Sequence, residues 1–450
     1  MSIHKSIGIW GFSRVGTAAA RYYISQGLQP AIFDAQSLSP GQQSYCVQHA
    51  LPVWQPDQLI PFLQTYDYIL PSPGIDLRPY SAYAHKWLSE FDIFCHAYKK
   101  PIIGITGSIG KTSVTHLLSQ LLTQAYGSIA TGGNIGTGML DLIAHTDHTA
   151  MALLELSSFQ LDLVKTGAPD LAIITNIYPN HLDRHGTLAN YTTAKARIYA
   201  QQTATQKLLL PYDLAYDLCK IYKPTSNLYL FADTRPTEIP NYCAAVFFLE
   251  NSLIKYRDHA GERELLPLHT LPMITFAQNW LIIASAVHLL GIDMQFLINA
   301  APTFSMPPHR LEYVGSAQGV TFYNDSKATT NSSMLAAVNT VSQQKPVHLF
   351  MGGLSKGVDR EPAIKGLHKA VVHAYCFGKE AEKLHALCTK YGIASSQHRT
   401  LEDAFALCIN KVNPGQAVLL SPGGASYDLF ADYEQRGIRF VELVKQYLGA

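Results

Sequence analysis

The sequence predicts an α/β protein with mostly parallel sheets. Short apolar runs rich in β-branched residues alternate with helical patterns along all 450 residues, which is typical of stacked βα units. A chain of this length also exceeds what one hydrophobic core usually organises. We therefore expect three domains, with boundaries at residues 1–97, 98–301 and 302–450.

The composition is that of an ordinary globular protein. Hydrophobic residues make up 47%, charged residues 15%, and the formal net charge is +1, so no overall field favours a nucleic acid. The seven cysteines contain no C-x-x-C pair, and we interpret them as reduced core thiols. No signal peptide is recognisable, and the longest apolar run, residues 280–292, is too short to span a bilayer. We expect a cytoplasmic monomer that binds neither nucleic acid nor membrane.

The first domain opens in a Rossmann-like way. A predicted strand at residues 6–10 is followed by a turn at residues 11–16, a helix rich in small residues, and a second strand that ends at Asp34. This order is typical of nucleotide-binding α/β domains. The turn has Ser13 where a dinucleotide fingerprint carries its middle glycine, which weighs against an oxidoreductase.

The central domain begins with a glycine-rich turn between a strand and a helix. Residues 104–112 read Gly-Ile-Thr-Gly-Ser-Ile-Gly-Lys-Thr, and they follow a predicted strand at 102–106 and precede a predicted helix at 113–122. Backbone N–H groups of such a turn converge on phosphate oxygens, Lys111 adds a point charge, and Thr112 can ligate Mg²⁺. The spacing is G-x-x-G-x-x-G-K-T rather than G-x-x-x-x-G-K-[ST]. The strand-to-helix context predicts a nucleotide-phosphate site.

Two polar positions follow other predicted strands of this domain. Glu155 comes directly after residues 151–154 of the predicted strand at 150–156, and His181 follows the run at 171–175. Because the carboxyl ends of parallel strands form the rim where α/β proteins bind ligands, Glu155 can hold Mg²⁺ there and His181 lies on the same rim. Alone, each has an ordinary structural interpretation, as a surface carboxylate and a hydrogen-bonded histidine. Further strands are predicted at 207–210 and 228–231, and a long helix at 277–290.

A third set of strands follows Pro302, Pro307 and Pro308. These strands are predicted at residues 320–323, 347–350, 371–376 and 417–420. They again alternate with helical patterns, so we expect a C-terminal Rossmann-like domain after a central domain of P-loop ATPase type.

The motifs resemble those of the Mur ligases in order and spacing. They occupy residues 104–112, 132–136, 154–160, 180–185, 308–312, 324–329, 352–357 and 420–430, and so span most of the chain. Ser-Phe-Gln at 158–160, Asn-Asp-Ser-Lys-Ala-Thr at 324–329 and Ser-Pro-x-x-Ala-Ser-x-Asp-x-Phe at 421–430 are similar to the D-glutamate-adding members.

The resemblance implies an ATP-dependent amide-bond ligase of peptidoglycan precursor synthesis. Its substrates would be UDP-N-acetylmuramoyl-L-alanine and D-glutamate, joined through an acyl phosphate with release of ADP and phosphate. Two Mg²⁺ ions are implied, held by Thr112, Glu155, His181 and a carbamylated Lys195. A neutral amine can capture CO₂ to give an anionic oxygen ligand. Without the resemblance, Lys195 would be interpreted as a solvent-exposed lysine on a helix.

The resemblance also implies roles for further residues. Catalytic roles fall on Lys111, Glu155, His181 and Lys195, and ATP contacts on Gly107, Gly110, Lys111, Thr112, Ser113, Asn279, Arg310 and Asp325. Substrate contacts fall on Asp34, Ser72, Gly74, Asn134, His181, Lys327, Thr329, Lys356, Ser426 and Tyr433. Chemically, Arg310 can fork onto phosphate, and Lys327 and Lys356 can neutralise the carboxylates of a dicarboxylic amino acid.

Three alternatives stay open. A sister ligase would add another amino acid to a cell-wall precursor, or glutamate to folate. An oxidoreductase would use the turn at residues 11–16 as a dinucleotide site and bind NADH rather than ATP. A non-catalytic nucleotide-binding regulator would keep its function after Lys111→Ala.

Overall fold

The protein is described by a computed structural model that covers residues 6–355, 357–367 and 370–449. Over these residues the strands form three sheets in which most neighbours are parallel. The predicted α/β class is therefore confirmed. The chain forms two compact units, Met1–Thr270 with Leu281–Ala301, and Leu271–Trp280 with Pro302–Ala450. The domain boundaries given above stay predictions.

The first sheet is parallel and has the strand order β3-β2-β1-β4. Its strands are β1 Ile7–Trp10, β2 Ala31–Phe33, β3 Val53–Trp54 and β4 Tyr68–Pro71, with helices α1 Arg14–Ser25, α2 Pro40–Gln48, α3 Leu59–Thr65 and α4 Glu90–Ala97. The helix α1 packs closely on β1 because its inner face is small. A Cβ at Gly16 would lie 1.9 Å from the carbonyl oxygen of Gly11, so the turn before α1 depends on glycine.

The second sheet has the order β13-β12-β11-β10-β9-β8-β5-β7-β6. Its strands are β5 Ile102–Thr106, β6 Ala130–Gly133, β7 Ala152–Glu155, β8 Leu171–Ile174, β9 Lys207–Pro211, β10 Asn227–Ala232, β11 Ala245–Glu250, β12 Leu253–Asp258 and β13 Gly261–Pro267. Its helices are α5 Lys111–Tyr126, α6 Ser158–Leu161, α7 Leu182–His185, α8 Leu188–Ala196, α9 Tyr212–Ile221, α10 Ala277–Leu289 and α11 Met294–Ala300, with a 3₁₀ segment at Met139–His148. Strand β5 lies between β7 and β8. The glycine-rich turn after β5 therefore lies between the carboxyl ends of its two neighbours.

The third sheet has the order β14-β15-β19-β16-β17-β18, with only its edge pair β14 and β15 antiparallel. Its strands are β14 Glu312–Ala317, β15 Val320–Asn324, β16 Val347–Gly352, β17 Val371–Phe377, β18 Ser395–His398 and β19 Ala417–Leu420. Its helices are α12 Asn331–Ser342, α13 Glu361–Gly366, α14 Ala381–Lys390, α15 Leu401–Ile409 and α16 Tyr433–Leu448. Since β15, β19 and β16 are parallel neighbours, the loops after them leave the same edge.

The seven cysteines are free thiols, five of them buried, as predicted. Over the residues that the structure describes, no helix has the length and apolar character needed to cross a membrane.

Candidate active site

The turn between β5 and α5 has a backbone that only glycine adopts easily. Gly107 has φ 145° and Gly110 has φ 88°, and a Cβ at Gly107 would lie 2.0 Å from Thr175 Oγ1. Asn176, just after β8, fixes the turn: its carbonyl accepts from Ser108 N (3.0 Å) and its Oδ1 from Ile109 N (2.8 Å). The turn is thus held open at the N-terminus of α5, where a helix binds anions.

Two lysines share one backbone carbonyl in this turn. Lys111 Nζ and Lys195 Nζ each donate to the carbonyl oxygen of Gly107 at 2.8 Å. Two ammonium groups this close repel each other, and Lys195 is buried, with 1% of its surface exposed. Burial, and then the charge of Lys111, hold the pKa of Lys195 well below its usual value, against an opposing effect of Glu155. The surroundings of Lys195 therefore favour its neutral amine more than those of an ordinary lysine do.

Glu155 ends β7 with one carboxylate oxygen paired and the other unpaired. Asn134 donates to it twice, from Nδ2 to Oε1 (2.8 Å) and from its backbone N to the Glu155 carbonyl (2.8 Å). Within the described part of the chain, Oε2 is buried and has no hydrogen-bond partner. A buried carboxylate oxygen of this kind is costly unless it meets a cation or a donor.

His181 has a backbone conformation that is uncommon for a residue with a side chain. It is the N-cap of α7 with φ 53°, a region that often marks functional positions. Its ring centroid lies 5.1 Å from that of Phe159. Desolvation lowers the pKa of His181. The charge of Asp183 opposes this shift, and the charges of Lys195 and Lys111 add to it. The imidazole therefore lies within electrostatic range of the turn between β5 and α5, hereafter the phosphate turn.

A cavity of about 390 Å³ lies beside the turn after β1. Four predicted substrate residues line it: Asp34, Ser72, Gly74 and Asn134. The Asp34 carboxylate is occupied by the backbone, since it accepts from Phe12 N (2.7 Å) and Gln36 N (2.9 Å). Asp34 therefore shapes the wall of the cavity.

The second unit gathers another set of predicted residues. Asp325 is buried and accepts from Ser421 Oγ (2.8 Å) and Leu311 N (3.1 Å). Burial raises its pKa to about 7, against these bonds and the charge of Arg310. Lys327 Nζ lies 3.4 Å from the ring centroid of Tyr433.

The remaining predicted residues are distributed as follows. Ser426 is buried, Thr329 is exposed, and Asn279 is buried in the segment 271–280 of the second unit. Lys356 lies outside the described residues. The structure thus brings together one group around Gly107 and another around Asp325, each within its own unit.

Comparisons with known proteins identify the family. Two family models match, the Mur ligase middle domain over residues 105–232 and the Mur ligase glutamate ligase domain over residues 309–424. A UDP-N-acetylmuramoylalanine–D-glutamate ligase from Acidobacterium capsulatum is 32% identical over 99% of this chain and 97% of its own length. One of the same name from Legionella pneumophila (strain Lens) is also 32% identical, over 98% of this chain and 99% of its own. The chain belongs to the Mur ligase family.

Solved structures agree with this fold. A UDP-N-acetylmuramate-alanine ligase from Thermotoga maritima aligns with a TM-score of 0.58 at 16% identity, over 99% of this chain and 100% of that chain. A MurF ligase from the same organism, crystallised with ADP, also gives 0.58, at 14% identity over 100% and 96%. As a Mur ligase, the chain is an ATP-dependent ligase.

Sequence reasoning missed one buried arginine of this Mur ligase and gave no role to another. Arg360 donates to the carbonyls of Pro422 (3.0 Å) and Gly352 (2.9 Å). Arg436 donates to the carbonyls of Gly424 (3.0 Å) and Ser326 (2.7 Å). Both are fully buried. Gly424 is the feature of the sequence that could have pointed to Arg360, because a Cβ at Gly424 would lie 2.1 Å from the Arg360 guanidinium.

Proposed function

We propose that this Mur ligase joins D-glutamate to UDP-N-acetylmuramoyl-L-alanine and releases ADP and phosphate, as a cytoplasmic monomer in peptidoglycan precursor synthesis. The relatives with this activity in their names match almost the full length of the chain. The observation that carries the chemistry is the phosphate turn itself. Lys111 and a low-pKa Lys195 meet there on one carbonyl, and Lys195 responds to the charge of Glu155.

The reaction must first activate a carboxylate, which is a poor acyl electrophile. Transfer of the γ-phosphoryl group of ATP to the terminal carboxylate makes phosphate a leaving group. The neutral amine nitrogen of D-glutamate then attacks the acyl carbon, the C–N bond forms, the C–O bond to phosphate breaks, and one amine proton leaves to solvent. Lys111 and the N–H groups at the start of α5 stabilise the charge on the transferring phosphoryl group.

The residues present fit Mg²⁺. Over the described residues, no group of three His, Cys, Asp or Glu side chains could hold a metal, so other oxygen donors must complete a site. The unpaired Oε2 of Glu155 supplies one, Thr112 and carbamylated Lys195 would supply others, and His181 would add a ring nitrogen. Mg²⁺ there would neutralise charge on the phosphates of ATP.

The low pKa of Lys195 supports its carbamylation. A neutral amine attacks CO₂, the N–C bond forms, and one amine proton leaves to solvent, which gives an anionic carbamate. We expect activity to fall in CO₂-free buffer and to return with bicarbonate. Lys195→Arg, which cannot be carbamylated, should lack activity in both. A wild-type rate that is independent of bicarbonate over long depletion would contradict the carbamate.

The second unit carries the residues that are proposed to bind the amino acid. Lys327, Lys356, Thr329, Ser426 and Tyr433 are proposed to hold D-glutamate, and Asn279, Arg310 and Asp325 to contact ATP. Burial raises the pKa of both Asp325 and Tyr433, and the charge of Arg310 opposes the rise in each case. Arg310 thus brings a positive charge close to Asp325 and Tyr433, in a region that is proposed to bind anions.

An amino-acid panel tests the proposal. Purified enzyme with ATP, Mg²⁺ and UDP-N-acetylmuramoyl-L-alanine should release phosphate with D-glutamate, and not with L-glutamate, L-alanine, L-lysine or a diamino acid. L-Glutamate is the matched control because it differs only in stereochemistry. Release with another amine alone would assign the chain to a sister activity.

A further inference from the structure

Two arginines connect the first and second sheets at the walls of the 390 Å³ cavity. One belongs to the first sheet and reaches the second, and the other belongs to the second and reaches the first. Arg14, the first residue of α1, donates to the carbonyls of Asn134 (2.8 Å) and Gly136 (3.2 Å) in the loop after β6. Arg184 of α7 donates to the carbonyls of Gly74 (2.8 Å) and Ile75 (2.7 Å) in the loop after β4. Each guanidinium therefore holds two backbone carbonyls that belong to the other sheet's loops.

Each arginine also connects to an element that carries a proposed metal ligand. Asn134, whose carbonyl Arg14 holds, donates from its side chain and backbone to Glu155. Arg184 lies one turn after His181, and its backbone N donates to the His181 carbonyl (3.1 Å). Its guanidinium lies 4.8 Å from the Phe159 ring centroid, which helps to fix its plane.

We propose that Arg14 and Arg184 are positioning residues that fix the distance between the sugar-nucleotide cavity and the phosphate turn. The inference rests on the proposed function and deepens it. A guanidinium fork on two carbonyls is a rigid link, because its donors lie in one plane. In-line phosphoryl transfer to a carboxylate needs its reacting atoms placed to within about 1 Å, and such a displacement costs about 10²-fold in rate.

The chain offers a matched control in Arg21. This arginine of α1 forms two 2.7 Å bonds with Asp141, in the 3₁₀ segment after the Asn134 loop. It therefore joins the same two regions as Arg14, with as many hydrogen bonds, but neither Arg21 nor Asp141 lines the cavity. Arg21→Met removes a link between these elements and leaves the proposed positioning intact.

The experiment compares steady-state kinetics of Arg14→Met, Arg184→Met and Arg21→Met. The first two should lose about 10²-fold in kcat/KM for UDP-N-acetylmuramoyl-L-alanine, with KM for ATP changed less than about twofold. Arg21→Met should stay within about twofold of wild type in every constant. Thermal stabilisation by ADP and Mg²⁺, equal in all variants, checks that each folds with an intact phosphate turn.

Lysine variants separate positioning from charge. Arg14→Lys and Arg184→Lys keep the charge but cannot fork onto two carbonyls, so they should behave like the methionine variants. Full rescue by lysine, unchanged constants in both methionine variants, or an equal loss in Arg21→Met would each overturn the inference. Failure of the proposed function looks different, because wild type itself would then show no phosphate release that depends on D-glutamate.

Discussion

The buried carboxylate of Glu155 near the phosphate turn keeps unused bonding capacity, whereas the buried guanidinium of Arg436 in the second unit is fully bound. Glu155 leaves Oε2 unpaired, and two lysines compete for the Gly107 carbonyl. Arg436, by contrast, places every nitrogen on an acceptor: Nε on Ser326 Oγ (3.0 Å) and the other two on the carbonyls of Ser326 and Gly424. Burial lowers the pKa of Arg436 to about 10, so it stays charged at neutral pH.

The difference distinguishes two uses of buried charge. A satisfied cation on carbonyls holds loops in place and has nothing left to offer a ligand. An unpaired carboxylate oxygen beside a low-pKa amine is unfavourable in the free protein and becomes favourable only with a bound partner. Removal of a charge should therefore cost activity at the first site and stability at the second.

The largest effect is expected for Lys111→Ala. The variant loses the point charge that faces the phosphates, and kcat should fall about 10³-fold. The fold should hold, because Lys111 is only partly buried and the Gly107 carbonyl still accepts from Lys195 after its removal. Phosphate release with both substrates measures the rate. Lys220→Ala, at an exposed lysine of α9, is the control, and a loss of less than about tenfold would contradict the assignment.

Arg436→Met should lower the free energy of unfolding by about 3 kcal/mol. The change leaves the carbonyls of Ser326 and Gly424 buried without their donor. Urea unfolding followed by circular dichroism measures the change. Arg439→Met, on the same helix and paired with Glu402 and Glu442 at the surface, should cost less than about 1 kcal/mol. Equal losses in the two variants would show that the hydrogen bonds of the buried Arg436 do not stabilise the fold more than a surface ion pair does.

Glu155→Gln should lower activity about 10²-fold and leave stability unchanged or higher. The amide is neutral and so is easier to bury, while its oxygen can still accept from Asn134. Phosphate release over a range of Mg²⁺ concentrations and the thermal midpoint are the two measurements. A fall in stability as large as that of Arg436→Met would show that Glu155 is part of the framework instead.

The smallest effect is a pH dependence from Asp325. Its folded pKa is raised to about 7 from 3.8, so the folded state binds the proton more tightly than the unfolded chain. The stability that this carboxyl group contributes is therefore present at low pH and is lost as the pH rises from 3.8 to about 7. Relative to Asp325→Asn, wild type should lose about 1 kcal/mol of unfolding free energy per pH unit between about pH 5 and 7. Arg310 and Arg436 face the carboxyl, and parallel pH profiles would contradict the shift.

Buried parallel strands were the most predictable part of the fold. The runs at 102–106 and 417–420 match β5 and β19 to the residue, since strands covered on both faces are continuous apolar runs. The antiparallel strands β12 and β13 were missed because charged residues interrupt their apolar pattern. Strand β11, Ala-Val-Phe-Phe-Leu-Glu, was also missed, although it is an apolar and largely buried run parallel to β10. Strand β6 was missed because its sequence, Ala-Thr-Gly-Gly, has little strand propensity.

The residues of the candidate site were predictable where they lie at or directly after the end of a parallel strand. Lys111 and Glu155 follow from their places after β5 and at the end of β7, because parallel strands end at one rim. Burial of Lys195 was not predictable from the residues alone, since a helix lysine usually faces solvent. Arg360 was missed for the same reason: it precedes Glu-Pro at a helix start, and nothing local indicates that its partners lie at the end of β16 and in the loop after β19.

The place of β5 in its sheet has a consequence for synthesis on the ribosome. Its two neighbours, β7 and β8, come later in the sequence, and Lys195 joins the turn from 88 residues beyond Gly107. A nascent chain that has emerged only as far as α5 therefore carries the glycine-rich motif without the contacts that shape it. We therefore expect this turn to capture a nucleotide only after α8 has left the exit tunnel, too late for ATP to assist the earliest folding of this region.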